Sequence, residues 1–254
     1  MKAIILAAGM GTRLGKYTEN MPKGMLNFNG KPLIEWQILQ LRKAGIDQII
    51  IVTGYKKEKI NFSNIHYYHN PNYATTNMVE SLLCARDELN SDILITYSDI
   101  IFTDKLAKLI TESKADIGVA VDKSWRDYWQ MRYGTTENDL ESLTVKDNKI
   151  VELGKSVNNS LGIDFRYIGM IKFSVNGIQR ALDIYDNKKM KNEYWIQSGK
   201  EFKQGYMTDM LNELILMGNI VTPIVSDGGW LEFDTFEDYE IVLKKIKGGI
   251  ITYP

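Results

Sequence analysis

Three apolar runs limit what this chain can become: "KAIILAAG" from Lys2, "DQIIIVTGY" from Asp47 and "SDILITYSDI" from Ser91. None alternates apolar with polar residues, so none suits a sheet with one face in water; each reads as a strand buried on both faces. Between them lie helical patterns. "KPLIEWQILQLRKAG" has apolar residues at Leu33, Ile34, Trp36, Ile38, Leu39 and Leu41, with Gly45 as a stop, and reads as an amphipathic helix. "TTNMVESLLCARDEL" has a threonine start and apolar Met78, Val79, Leu82, Leu83 and Leu89, and "IHYYHN" reads as one more strand. Strands alternating with helices predict a mostly parallel sheet covered on both faces, an α/β architecture.

From about Ala115 the pattern changes. "DIGVAVD", "LTVKDNKIVELGK" and "RYIGMIKFS" read as strands, with a turn at "KDNK", and "IVTPIVSDGGWLEFDT" as two strands around a glycine turn. "NGIQRALDIYDN", "MTDMLNELILMG" and "FEDYEIVLKKIK" read as helices. With no repeat or linker, residues 1–254 are expected to form one domain. Its halves would be roughly 1–114 and 115–254, the second carrying a small β-rich extension.

Composition removes several chemistries. The net charge of −1 gives no global attraction to nucleic acid or to an anionic membrane. A single cysteine, Cys84, forbids an intrachain disulfide, and two histidines, His66 and His69, leave little for a zinc site or a nucleophile–histidine pair. Cys84 is expected to be a small buried residue, and both histidines to be structural or incidental. No run approaches the roughly 20 apolar residues of a membrane span, and a cytoplasmic protein is expected.

Ligands of parallel sheets bind beyond the carboxyl ends of the strands. The glycine-rich loop "LAAGMGTRLGKYTENMPKG" (Leu6–Gly24), "TGY" and "SDI" all fall there. A dinucleotide fingerprint needs a third glycine where Leu14 stands, and an acid at the tip of the second strand, where the sequence is "VTGYKKEK". The P-loop string G-x-x-x-x-G-K-[ST] does not occur. A nucleotidyltransferase loop remains: Gly9 and Gly11 let backbone N–H groups approach a triphosphate, Arg13 offers a forked guanidinium, and Pro22 stiffens the approach to Lys23. The bland alternative is a glycine turn beside solvated basic residues.

"LAAGMGTRL" followed by "TENMPK" resembles the signature of nucleoside-triphosphate transferases that make sugar nucleotides and CDP-alcohols. "NPNYATTNMVESL", "YSDI" and "WLEFDTFEDY" resemble later motifs of the phosphocholine cytidylyltransferase branch. The resemblance implies a Rossmann-like three-layer α/β/α nucleotidyltransferase fold. It also implies transfer of a nucleotidyl group from CTP (less readily UTP or dTTP) to a phosphorylated acceptor, with Mg²⁺. Arg13 and Lys23 would be catalytic, and Leu6, Ala8, Gly9, Gly11, Thr12, Arg13, Asn77 and Ser81 would hold the nucleotide. Asp99, at the end of a buried strand, and Asp234, by resemblance, would ligate Mg²⁺; each could instead be a cap, and Asp104 is a weaker neighbour. Asn77 could equally be a first-turn helix residue.

Lys155 in "VELGK" looks like the family's second lysine near the acceptor phosphate, and would act beside Lys23; a solvated lysine is the alternative. "DKSWRDYWQMRYG" gathers Trp125, Tyr128, Trp129 and Tyr133 with Arg126 and Arg132. Aromatics could cage a quaternary ammonium, whereas arginines suit a carboxylate. Trp129 and Arg132 are therefore expected to touch the acceptor, unless the segment merely packs the later strands. Resemblance within the branch favours L-glutamine phosphate, serving capsule polysaccharide modification, ahead of phosphocholine and a sugar 1-phosphate. A nucleotide-binding regulatory protein is the non-enzyme alternative and an NAD-linked oxidoreductase another class. The strands after Asp116 could supply a homodimer interface.

Overall fold

The computed structural model describes residues 1–247; residues 248–254, the end of the expected domain, lie outside it. The first strand, β1 (Lys2–Ala7), runs into the glycine loop. A two-residue ladder of β2 (Asn27–Phe28) and β3 (Lys31–Pro32) leads into α1 (Leu33–Lys43), then β4 (Ile49–Thr53) and β5 (His66–His69). Helix α2 (Met78–Leu83) precedes β6 (Ile93–Tyr97), β7 (Ile100–Phe102), α3 (Asp104–Glu112), β8 (Ile117–Asp122) and α4 (Trp125–Tyr133). The chain continues through β9 (Glu141–Lys146), β10 (Lys149–Ser156), β11 (Arg166–Phe173), α5 (Val175–Lys191) and α6 (Met207–Leu216). It closes with β12 (Thr222–Ser226), β13 (Trp230–Glu232) and α7 (Phe236–Lys247).

Seven strands form one sheet in the order β12-β8-β11-β6-β1-β4-β5. All are parallel except β11, which runs antiparallel to both β6 and β8. The expected parallel sheet is therefore present, and three later strands join it. The β9–β10 hairpin, the β7–β13 pair and the β2–β3 ladder lie outside it, the hairpin turning through Asp147 and Asn148 at φ 48° and 57°. Two adjacent left-handed residues fit a tight hairpin whose turn follows the strand twist.

The sheet is buried on both faces. One core packs Ile4, Val52, Ile95, Val119 and Ile171 beneath α2, α5 and α6. The other packs Ile5, Ile51, Leu94 and Met170 beneath α1, α3 and α4. Successive residues of one strand, Ile4 and Ile5, thus serve opposite cores, which is why the runs show no polar alternation. Helix α2 is shorter than the expected segment, yielding after Leu83 to a 3₁₀ turn at Arg86–Glu88. Its N-cap is Asn77, not a threonine. Cys84 is only half-buried.

Candidate active site

The glycine loop begins where β1 ends, at the carboxyl edge of the sheet. Gly11 sits at φ 64°, its carbonyl accepting from Leu14 N at 3.0 Å and from Thr18 Oγ1 at 2.8 Å. A Cβ there would lie 3.1 Å from the Lys23 and Thr18 side chains, so both handedness and space call for glycine. At Gly9 a Cβ would meet nothing within 4 Å, because that backbone fronts open space. Leu14 pins the loop from below, fully buried with Phe28, Phe233 and Tyr239.

Lys23 follows Pro22 in a short 3₁₀ turn, Lys23–Met25. Its Nζ donates to Asp99 Oδ2 and to Asp234 Oδ1, each at 2.7 Å, while Arg13 Nη1 pairs with Asp234 Oδ2. Residues 135 positions apart in sequence meet because β7 and β13 pair antiparallel, Ile100 opposite Glu232, with Phe233 N donating to Asp99 O at 2.9 Å. Burial alone would lower the Lys23 pKa, but the two carboxylates outweigh it and hold the ammonium above its ordinary value. The result is two cations interleaved with two acids.

This quartet lies where two cavities meet. The first, about 260 Å³, is lined by all the residues expected to hold a nucleotide: Leu6, Ala8, Gly9, Gly11, Thr12 and Arg13 from β1 and the loop, Asn77 capping α2 and Ser81 within it. Asn77 is committed locally, its side chain capping Met78 N at 2.9 Å and its own N–H donating to Lys203 O at 3.1 Å. Ser81 Oγ donates to Asn77 O and accepts from Asn70 Nδ2. Tyr73, Thr76 and Ser98 complete the wall.

The second cavity, about 570 Å³, shares Arg13, Met78, Tyr97, Asp99 and Asp234 with the first. Its further walls include Asp139, Glu141, Arg166, Tyr167, Tyr206 and Glu232. Three expected acceptor contacts are corrected here. Trp129 is completely buried, its indole donating to Asn138 O at 2.7 Å. Arg132 is also interior, donating to Asp238 Oδ1 and to Glu232 Oε2 at 2.6 Å each. Lys155 pairs with Glu152 on the strand surface, and its neighbours Gly154 and Ser156 line the cavity in its place. Asp104 pairs with Lys108 at 2.9 Å and lines neither cavity.

Arg166 and Tyr167 open β11, and its antiparallel direction explains why they were missed. In a sheet of parallel strands, the one reversed strand brings its beginning to the binding edge. Sequence periodicity carries no strand direction. Asp139 and Glu141 lie in "TTENDLESL", which shows no motif at all.

Among the described residues no cluster of three or more His, Cys, Asp or Glu side chains could hold a metal. Asp99 and Asp234 nevertheless converge on one cation, Lys23 Nζ. Two hard oxygen donors fit Mg²⁺, which commonly takes one or two carboxylates and completes its shell with phosphates and water. No helix of the described residues is long and apolar enough to cross a membrane.

Comparison with known proteins follows the same lines. Residues 3–148 match the MobA-like NTP transferase domain. The CTP:phosphoglutamine cytidylyltransferase of Campylobacter jejuni is 34% identical over 96% of this chain and 100% of its own. The choline-phosphate cytidylyltransferase of Haemophilus influenzae is 27% identical over 97% of each. The solved CTP:phosphocholine cytidylyltransferase of Streptococcus pneumoniae superposes with a TM-score of 0.76 at 24% identity, covering 96% of this chain and 98% of that one.

Proposed function

The chain belongs to the MobA-like NTP transferase family and is a nucleotidyltransferase, and we propose that it moves the cytidylyl group of CTP to a small phosphorylated acceptor. The observation that carries the reading is the Arg13–Lys23–Asp99–Asp234 quartet at the junction of two cavities. A reaction between two phosphates needs a place for each and cations between them.

In this reading CTP occupies the smaller cavity, with its triphosphate along the loop. An oxygen of the acceptor phosphate attacks the α-phosphorus, a new P–O bond forms, and the bond to pyrophosphate breaks. The acceptor phosphate has a second pKa of about 6, so near neutral pH it is largely dianionic and needs no general base. The work is to hold two anions together and stabilise spreading charge. Arg13 grips triphosphate oxygens with its fork, backbone N–H groups near Gly9 and Gly11 add donors, and Lys23 guides the incoming phosphate. Asp99 and Asp234 would hold Mg²⁺, which as a Lewis acid neutralises charge on the phosphates.

CTP as donor is supported by the Campylobacter and Haemophilus relatives, both named as cytidylyltransferases. Phosphoglutamine as acceptor rests on the Campylobacter relative, which matches along its whole length; the product would be an activated group for capsule modification. Phosphocholine is the second reading, favoured by the tyrosines Tyr97, Tyr167 and Tyr206 around the larger cavity. The test is pyrophosphate release with each of four nucleoside triphosphates against these acceptors, with Mg²⁺ and with chelator. CTP alone should be turned over, and only with the metal. Release with no pairing would leave a nucleotide-binding regulatory protein.

A further inference from the structure

Two side chains in the larger cavity have no use in this chemistry. The Glu141 carboxylate, at the start of β9, has no hydrogen-bond or salt-bridge partner among the described residues. Burial pushes its pKa up, the nearby Arg166 charge opposes that rise, and the negative charges of Asp139, Glu232 and Asp234 add to it. Arg166 is 6% exposed, and its Nη1 is buried without any acceptor. Its guanidinium stacks 4.5 Å from the Trp129 ring, and its contact with Asp139 is long, at 3.3 Å. Leaving a buried donor unpaired is costly, so a guanidinium with a spare buried donor and a carboxylate without a bonded partner in one cavity wall call for a ligand bearing both charges.

Resting on the nucleotidyltransferase reading of this cavity, we propose that Glu141 and Arg166 form a clamp for an α-amino acid group on the acceptor, Glu141 taking the ammonium and Arg166 the carboxylate. Guanidinium and carboxylate match as planar forks, and Trp129 fixes the plane of the fork. This gives Trp129 an indirect part as a positioning residue. It also separates the two acceptor readings, because phosphocholine offers a cation with no carboxylate to satisfy Arg166.

The test crosses acceptor analogues with variants. Binding of phosphoglutamine is measured by calorimetry beside its decarboxylated analogue and its N-acetylated analogue. These measurements need no turnover, and unmodified protein serves for the first comparison. Removing either charged group should weaken binding about 30-fold or more, the scale of truncating one partner of a buried charge pair. In Arg166→Met, or in Arg166→Lys should Met not fold, the penalty for losing the carboxylate should shrink while that for acetylation persists. Glu141→Gln should show the reverse. Equal binding of phosphoglutamine and the decarboxylated analogue, or no binding of either, overturns the clamp. Intact binding without CTP turnover would sink the transferase reading and leave the clamp standing.

Discussion

Replacing Arg132 with Met should cost stability and spare the acceptor site. The guanidinium is completely buried, with Nε bonded to Asp238 and Nη1 to Glu232, and Asp238 is equally enclosed. Methionine keeps most of the stem's volume but strands the Asp238 carboxylate, which still accepts from Thr235 N at 2.9 Å. Breaking a buried pair from one side costs about 3–5 kcal/mol. For a chain of this size each kcal/mol lowers Tm by roughly 2–4 °C, so the expected fall is about 6–20 °C. Adding Asp238→Asn should recover part of it, since the orphaned charge goes too. The pH dependence is a second signature. Burial raises the Asp238 pKa, but Arg132 outweighs it and the folded value lies below the ordinary one. Its stabilisation is complete above the unfolded value of about 3.9 and is lost as pH falls through the lower folded value. Arg132→Met should erase that acid-side step. Thermal unfolding by circular dichroism reads the stability, and steady-state kinetics the acceptor KM. An unchanged Tm with a raised acceptor KM would refute the reasoning and return Arg132 to the acceptor site.

Lys23→Met should lower kcat by about 10²–10³, the usual cost of removing one group that stabilises developing charge, with CTP binding by calorimetry largely kept. Gly11→Val should raise the CTP KM and destabilise the loop, because a left-handed backbone costs a side chain roughly 1–2 kcal/mol and the Cβ would press on Lys23 and Thr18. The acceptor KM should rise as pH falls through the elevated pKa of Glu141, above the ordinary glutamate value of about 4.3, since the protonated acid no longer attracts an ammonium. In Glu141→Gln only the dependence set by the acceptor phosphate's own protonation, at about pH 6, should remain.

What the sequence made legible was local or short in range. Apolar runs marked strands because both faces of each are covered, as at Ile4 and Ile5. The loop residues Gly9, Gly11, Arg13 and Lys23 were readable because their chemistry lies within one stretch, and the structure brings them to one cavity. Arg132 and Arg166 show the limit. Both are arginines near aromatics, and what separates them is a bonded partner 106 positions away that encloses one, and a buried Nη1 left without an acceptor on the other. Neither fact exists before the chain folds. Lys155 fails for a geometric reason: on β10 its neighbours Gly154 and Ser156 meet the cavity, and the lysine does not.

The most direct measurement is phosphorus NMR of the protein with CTP, Mg²⁺ and phosphoglutamine. Attack at the α-phosphorus predicts that the α-phosphate of CTP and the acceptor phosphate become one bridged diphosphate while free pyrophosphate appears in equal amount. Appearance of CDP with inorganic phosphate, or an unchanged spectrum with every acceptor, would contradict it.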